Sequence, residues 1–196
     1  IAGKQSGFEL EYPRYRKGKM LWFSMSVSGL KWGKAKWVSV IHNEITEKRQ
    51  AENERLHNVL SMRATFEQAA VGIAHVTPEG RFIRINKKFC EIVGYSHEEM
   101  LTLSFQDITH PDDLETDLVQ VNLLLEGKQD SYTMEKRYFH KMGQVVWARL
   151  TVSLVSDLSG RPLHFVSVIE NIDRRKQAEE ALRESEKKFR RLMEQS

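Results

Sequence analysis

Cys90 and seven histidines are the side chains here best suited to nucleophilic, redox or metal chemistry. A single cysteine excludes an internal disulfide framework and any multi-cysteine zinc site. His75, His140 and His164 fall on strand-like runs with no cysteine or aspartate at ligand spacing, so no metal site is expected. His42-Asn43-Glu44 sets a histidine near a carboxylate, but His42 ends a strand-like run and no phosphoacceptor role is expected of it. There is no Gly-x-Gly-x-x-Gly or Walker-type run, and no serine, histidine and aspartate in a supporting motif. No catalytic residue is assigned, and no enzyme is expected in this segment.

A second chemistry lies in the first quarter. Residues 1–50 hold ten Lys/Arg against four Asp/Glu, whereas the whole chain carries a net charge of only +3. Tyr12, Arg14, Tyr15, Arg16, Lys17, Lys19, Trp22, Lys31, Trp32, Lys34, Lys36 and Trp37 interleave cations with aromatics. Such a surface could stack and neutralise single-stranded nucleic acid. The simpler reading is a sheet with packed aromatics and solvated cations, and no nucleic-acid partner is expected.

The elements that must position these residues come next. The 196 residues are 40% hydrophobic and 29% charged, a globular composition with room for one to two domains. Stretches free of charged residues, such as Met20–Leu30, run to 11 residues. A membrane-spanning helix needs about 20. No signal peptide is evident, and the chain starts without Met, so a fragment of a longer cytoplasmic protein is expected.

The chain repeats itself. The run starting at Trp37, WVSVIHNEITEKRQAE, matches the run starting at Phe165, FVSVIENIDRRKQAE. Gln50-Ala51-Glu52 registers with Gln177-Ala178-Glu179, an offset of 127 residues, and the Gly18-to-Trp22 spacing recurs as Gly143 to Trp147. Trp22 and Trp37 thus read as counterparts of Trp147 and Phe165, and His42 of Glu170. The chain reads as a window of about one and a half units cut from a tandem array.

In the complete unit, Val71–Val76 and Arg81–Ile85 read as strands around the turn Pro78-Glu79-Gly80. A helical stretch from Asn86 to Leu103 is broken by Gly94-Tyr95-Ser96, with Ser96 as an N-cap. Pro111 opens a second helix, with Leu114, Leu118, Val121 and Leu125 at helical spacing and His110 as its cap. Ser131–His140, Val145–Ser156 and Pro162–Asn171 read as three further strands. The fold class is therefore α+β, a five-stranded antiparallel sheet with helices on one face. Alternation turns Val146, Ala148, Leu150 and Val152 inward and leaves Trp147 outside, needing a cover such as a connector helix. Two connectors, Thr46–Gln68 and Arg174–Gln195, are long, charged and free of Gly and Pro. Ala178, Leu182, Ser185, Phe189 and Leu192 form a heptad seam in the second, which reads as a parallel dimer helix.

This order resembles the PAS domain, a sensory module of bacterial signalling proteins. The resemblance rests on the turn at Pro78-Glu79-Gly80, Asn86-Lys87-Lys88-Phe89, Gly94-Tyr95-Ser96 with Glu98-Glu99, and His110-Pro111-Asp112-Asp113. The Gly143-to-Trp147 hairpin and Asn171-Ile172-Asp173-Arg174-Arg175-Lys176 complete it. It implies four segments: residues 1–46 as the last three strands of a preceding PAS domain, 47–69 as a connector helix, 70–173 as a complete PAS domain, and 174–196 as a connector to a further domain. The family often ends a domain in Asp-Ile-Thr, which couples the last strand to the outgoing helix. Here Glu44-Ile45-Thr46 and Asn171-Ile172-Asp173 hold those places, so Glu44, Thr46, Asn171, Ile172 and Asp173 are the expected relay residues.

The resemblance also frames the cofactor question. Flavin-binding relatives need a cysteine at a place that falls near Phe105, whereas Cys90 comes too early. Their flavin-bonding positions match Tyr138, Ala148 and Ile169, two of which cannot supply such bonds. Haem-binding relatives carry a histidine on the long helix, and Pro111–Glu126 has none. Neither cofactor is expected. A small, mostly apolar ligand remains an option, with Tyr138, Ser167, Ala148, Leu150, Phe89 and Leu118 as the candidate residues. The expected role is sensory relay in a multi-PAS bacterial protein, a two-component sensor histidine kinase, acting as a homodimer through Leu182, Phe189 and Leu192. The alternative is a ligand-free dimerisation spacer in a diguanylate cyclase or phosphodiesterase.

Overall fold

The computed structural model describes residues 7–32 and 35–194. It divides between Arg63 and Ala64 into two compact units. In the first unit, β1 (Gly7–Arg16), β2 (Lys19–Trp32) and β3 (Ala35–Glu44) form an antiparallel meander in the order β1-β2-β3. Lys17 and Gly18, both at positive φ, make the first turn. Helix α1 (Thr46–Glu67) begins here and ends in the second unit. Phe8, Leu10, Val38 and Val40 are exposed on one face of this sheet.

The second unit places β4 (Gly72–Val76) and β5 (Phe82–Ile85) before the helices. These are α2 (Lys87–Val93), α3 (His97–Met100), α4 (Phe105–Ile108) and α5 (Pro111–Leu125). Strands β6 (Ser131–Phe139), β7 (Val145–Ser156) and β8 (Pro162–Asn171) follow, then α6 (Asp173–Glu194). The five strands are antiparallel in the order β5-β4-β8-β7-β6, so the first and last parts of the unit meet at the β4–β8 pair.

Local chemistry explains the punctuation. Asn86 is fully buried; its carbonyl accepts from the N–H of Ile73 and Phe89, and its amide donates to the carbonyls of Phe66 and Val71. One side chain thus caps α2 and ties it to β4 and the end of α1. Gly94 ends α2 at φ 76°, and a Cβ there would strike the His140 ring. Ser96 and Glu99 form a capping box on α3. His110 caps α5, its Nδ1 accepting from the Asp112 N–H at 3.3 Å, with Pro111 in the first turn.

The core lies between the sheet and α2–α5. Val146, Ala148, Leu150 and Val152 are buried on the inner face, as alternation requires, against Phe89, Ile92 and Val121. Fully burying a side chain such as Phe89 contributes about 1.5–3 kcal/mol.

Three details differ from the sequence reading. The stretch expected to be helical from Asn86 to Leu103 ends at Met100. Helix α4 was not anticipated; four residues are too few to show a helical period. The third concerns the repeat. Phe23 pairs with Glu44 and Val27 with Val40 in the first unit, as Ala148 pairs with Asn171 and Val152 with Ser167 in the second. The β2–β3 register therefore reproduces β7–β8 at a constant strand offset. Val38, not Trp37, takes the place of Phe165, and His42 takes the place of Ile169 rather than Glu170. Matching WVSVI to FVSVI inserts a one-residue gap inside a strand, which would flip every side chain beyond it to the other face. The Trp22 and Trp147 match is unchanged.

Candidate functional site

A cavity of about 20 Å³ lies between the inner face of the five-stranded sheet and the helices, enough for one water molecule. Most of its wall is apolar, including Phe89, Phe105, Leu150 and Phe165. Its polar groups come from α5 (Asp117), β6 (Tyr132, Lys136, Tyr138) and β8 (Ser167).

Lys136 and Asp117 were not foreseen as site residues. Both are almost wholly buried, and Lys136 Nζ meets Asp117 Oδ2 at 2.5 Å. Nζ also donates to Thr109 Oγ1 at 3.0 Å and stands 4.5 Å from the centre of the Tyr138 ring. Tyr132 donates its hydroxyl to Asp117 Oδ1 at 2.7 Å. Burial lowers the Lys136 pKa and the adjacent Asp117 opposes that shift. The Tyr132 phenol is pushed far up, by burial first and then by the Asp117 charge. The ammonium and carboxylate are partnered, so the cluster resists the desolvation that either charge alone would suffer. Strand alternation puts Lys136 on the inward parity of Tyr138, but nothing in the sequence pairs it with Asp117.

Of the six candidate ligand residues, Tyr138, Ser167, Leu150 and Phe89 line the cavity. Ala148 is buried but does not line it, and Leu118 packs on the core from α5. Phe105 lines the cavity wall, and Cys90 is half-buried on α2. Burial raises the Cys90 pKa, with Glu67 and Glu91 adding to it, which disfavours the thiolate. Histidines 75 and 164 stack at 4.9 Å, with the Phe66 ring edge-on to His75. Among the described residues, no group of three or more histidines, cysteines or acids could hold a metal.

A second constellation joins the sheet to α6. The Trp147 N–H donates to Asp173 Oδ1 at 2.8 Å, and the Trp147 carbonyl accepts from the Ile172 N–H at 2.9 Å. Asn171 Oδ1 accepts from the Asp173 N–H. Lys176 lies 4.7 Å from the Trp147 ring centre and bonds Glu135 of β6 at 2.7 Å; Arg175 bonds the same carboxylate at 2.5 Å. Trp147 is thus covered by the first turn of α6 and, at 5.4 Å, by Arg137. These bonds, Lys176 first, hold the Glu135 carboxyl below its usual range.

The first unit contains the same junction. The Trp22 N–H donates to Thr46 Oγ1 at 2.9 Å, and Ile45 N–H to the Trp22 carbonyl at 2.8 Å. Arg49 lies 3.9 Å from the Trp22 ring centre and bonds Glu11 of β1 at 2.6 Å. Glu44 accepts from Thr46 Oγ1 at 3.2 Å. The expected relay residues therefore meet around one tryptophan in each unit, and the strand carboxylates Glu11 and Glu135 are the members that the sequence reading missed.

Along α6, Leu182 and Phe189 are exposed, as is Met193; the Leu192 side chain lies outside the described residues. Of the basic quarter, Tyr15 and Trp37 are exposed, Tyr12 stacks with Phe23 and His42, and Trp22 is covered by Arg49. Lys34 and the side chains of Lys31, Trp32 and Lys36 lie outside the described residues. Among the described residues, no helix is long and apolar enough to cross a membrane.

An antiparallel sheet with a helical cover, a small central cavity and a helix leaving its last strand defines a small α+β domain. Residues 82–169 match a family model described as PAS fold. The PAS domain of a protein from Colwellia psychrerythraea superposes with a TM-score of 0.54 at 22% identity, covering 59% of this chain and 98% of that one. A sensory box histidine kinase/response regulator structure from Burkholderia thailandensis gives 0.53 at 26% identity, covering 66% and 98%. The second unit is a PAS domain. The chain is homologous to part of the probable diguanylate cyclase DgcE of Escherichia coli, 46% identical over 118 residues, which is 60% of this chain and 11% of that protein. It is also homologous to part of the sensor histidine kinase TmoS of Ectopseudomonas mendocina, 31% identical over 120 residues, which is 61% and 12%. The chain spans only about a tenth of the length of these relatives.

Proposed function

We propose that this chain is a non-catalytic relay segment of a cytoplasmic, multi-PAS bacterial signalling protein. It passes the state of the PAS core, or of a neighbouring domain, to an output domain through α6. The observation that carries this reading is the junction at Trp147, where the first turn of α6 is bonded to both β7 and the edge strand β6. A shift of the sheet must then either move the helix or break those bonds. The exposed Leu182 and Phe189 give α6 an apolar stripe suited to a parallel homodimer.

A cavity with room for one water favours relay of a neighbour's state over capture of a bulky ligand. Neither haem nor flavin suits the residues in place, because α5 offers no histidine and Phe105 stands where the flavin chemistry needs cysteine. Residues 7–44 act as the last three strands of a preceding PAS copy, whose earlier half would cover Phe8, Leu10, Val38 and Val40. A nucleic-acid role gains no support, since Tyr12 and Trp22 are engaged within their own unit.

The output follows the relatives. The sequence pattern favours a histidine kinase, whereas the 46% identity to a diguanylate cyclase favours that enzyme as the parent. Replacing Leu182 and Phe189 with Glu in the full-length protein, with output activity as the readout, tests the relay. Loss of regulation with retained folding is expected; unaltered regulation would overturn it.

A further inference from the structure

Glu135 and Lys136 are neighbours on β6, and alternation sends them to opposite faces of the sheet. Lys136 points into the core, where Asp117 of α5 and Thr109, the residue that caps α4, hold it. Glu135 points out, where Arg175 and Lys176 bind it to the first turn of α6. The next residue, Arg137, reaches Asp113 at 2.8 Å and Asp112 at 3.1 Å, so the start of α5 is also tied to this strand. β6 is an edge strand whose ladder partner is β7. On its outer side Thr109 bridges Tyr138, and the Arg137 backbone is bonded to the His110 N–H and to the Asp113 carboxylate.

We propose that β6 is the lever of this domain: the buried Lys136–Asp117 pair sets the strand's position, and Glu135 transmits it to α6. This rests on the relay reading and specifies its route. Two observations carry it. One covalent step joins the core ion pair to the helix clamp. The clamp itself also recurs: Glu11, Arg49 and Trp22 repeat Glu135, Lys176 and Trp147, at 2.6 Å and 3.9 Å against 2.7 Å and 4.7 Å. The core end of the lever does not recur. Tyr12, paired with Phe23, takes the place of Lys136, paired with Ala148. The first unit therefore keeps the helix clamp without an ion pair behind it, and Lys136 is a positioning residue particular to the second.

The test is hydrogen exchange at the amides of residues 176–180 in the 196-residue chain. Lys136→Met, Asp117→Leu and Tyr132→Phe together replace the polar cluster without stranding a charge or a hydroxyl. This swap is expected to speed exchange there by about fivefold or more, the lower end of coupling between sites. Glu135→Gln should do the same, and adding the swap to Glu135→Gln should change little further. The equivalent amides at 49–53 should not respond to the swap. Thr109→Val, a smaller cut, should move the same amides in the same direction if the triple variant fails to fold. Wild-type exchange at 176–180 in the swap or in Thr109→Val, or fully additive effects with Glu135→Gln, would overturn the lever. Asp173→Ala separates the two readings. If it frees α6 while the swap does not, the relay stands and the β6 route falls; if neither does, both fall.

Discussion

The backbone N–H of Trp147 donates to the Asp173 carboxylate at 2.8 Å, as that of Trp22 donates to the Thr46 hydroxyl at 2.9 Å. In both places the first residue of a long helix supplies the oxygen and the central strand of a meander supplies the donor. The helix therefore starts where the strand fixes it. The residue types differ, but each offers a short oxygen acceptor at the helix start.

Asp173→Ala removes that acceptor and leaves the Trp147 N–H without it. The loss should be about 1 kcal/mol, as for other helix caps. Asp173→Thr should recover most of it, because Thr46 performs the same task. Urea unfolding of the two variants checks this; equal stability of Ala and Thr would show that the oxygen has no role.

The Lys136–Asp117 pair predicts an asymmetry. Lys136→Ala or Asp117→Ala alone should cost about 3–5 kcal/mol, because each leaves a buried charge without its partner. Replacing both with apolar residues should cost much less. Calorimetric melting temperatures of single and double variants give the answer, and additive losses would refute the coupling.

His75 supplies a pH dependence. Its folded pKa lies below the usual value, first because of burial, then because of charge repulsion from His164 and Arg84 nearby. The neutral ring therefore favours the folded state. Its contribution is complete above about pH 6.5 and is lost as pH falls through the folded value. Melting temperature should drop between pH 7.5 and 5.5 in the wild type and drop less in His75→Phe. An identical drop in both would assign the effect elsewhere.

Much of this was legible in the sequence. Pro78-Glu79-Gly80, Gly94, Ser96 and Pro111 each impose a local geometry that survives in the fold, and strand alternation placed Val146 to Val152 correctly. Lys136 and Asp117 were not legible, because polarity patterns send charges outward and only their mutual pairing makes burial tolerable. Glu135 and Glu11 were hidden for another reason: strand carboxylates look solvated until the helix that binds them is in place. The offset of Trp37 was misread because sequence identity ignores the two-residue period of a strand.

The association state of the chain tests the relay most directly. Native mass spectrometry should give a dimer at twice the polypeptide mass, converting to monomer when Leu182 and Phe189 are both replaced with Glu. A monomeric wild type, or a dimer indifferent to those substitutions, would contradict signal transfer through a paired α6.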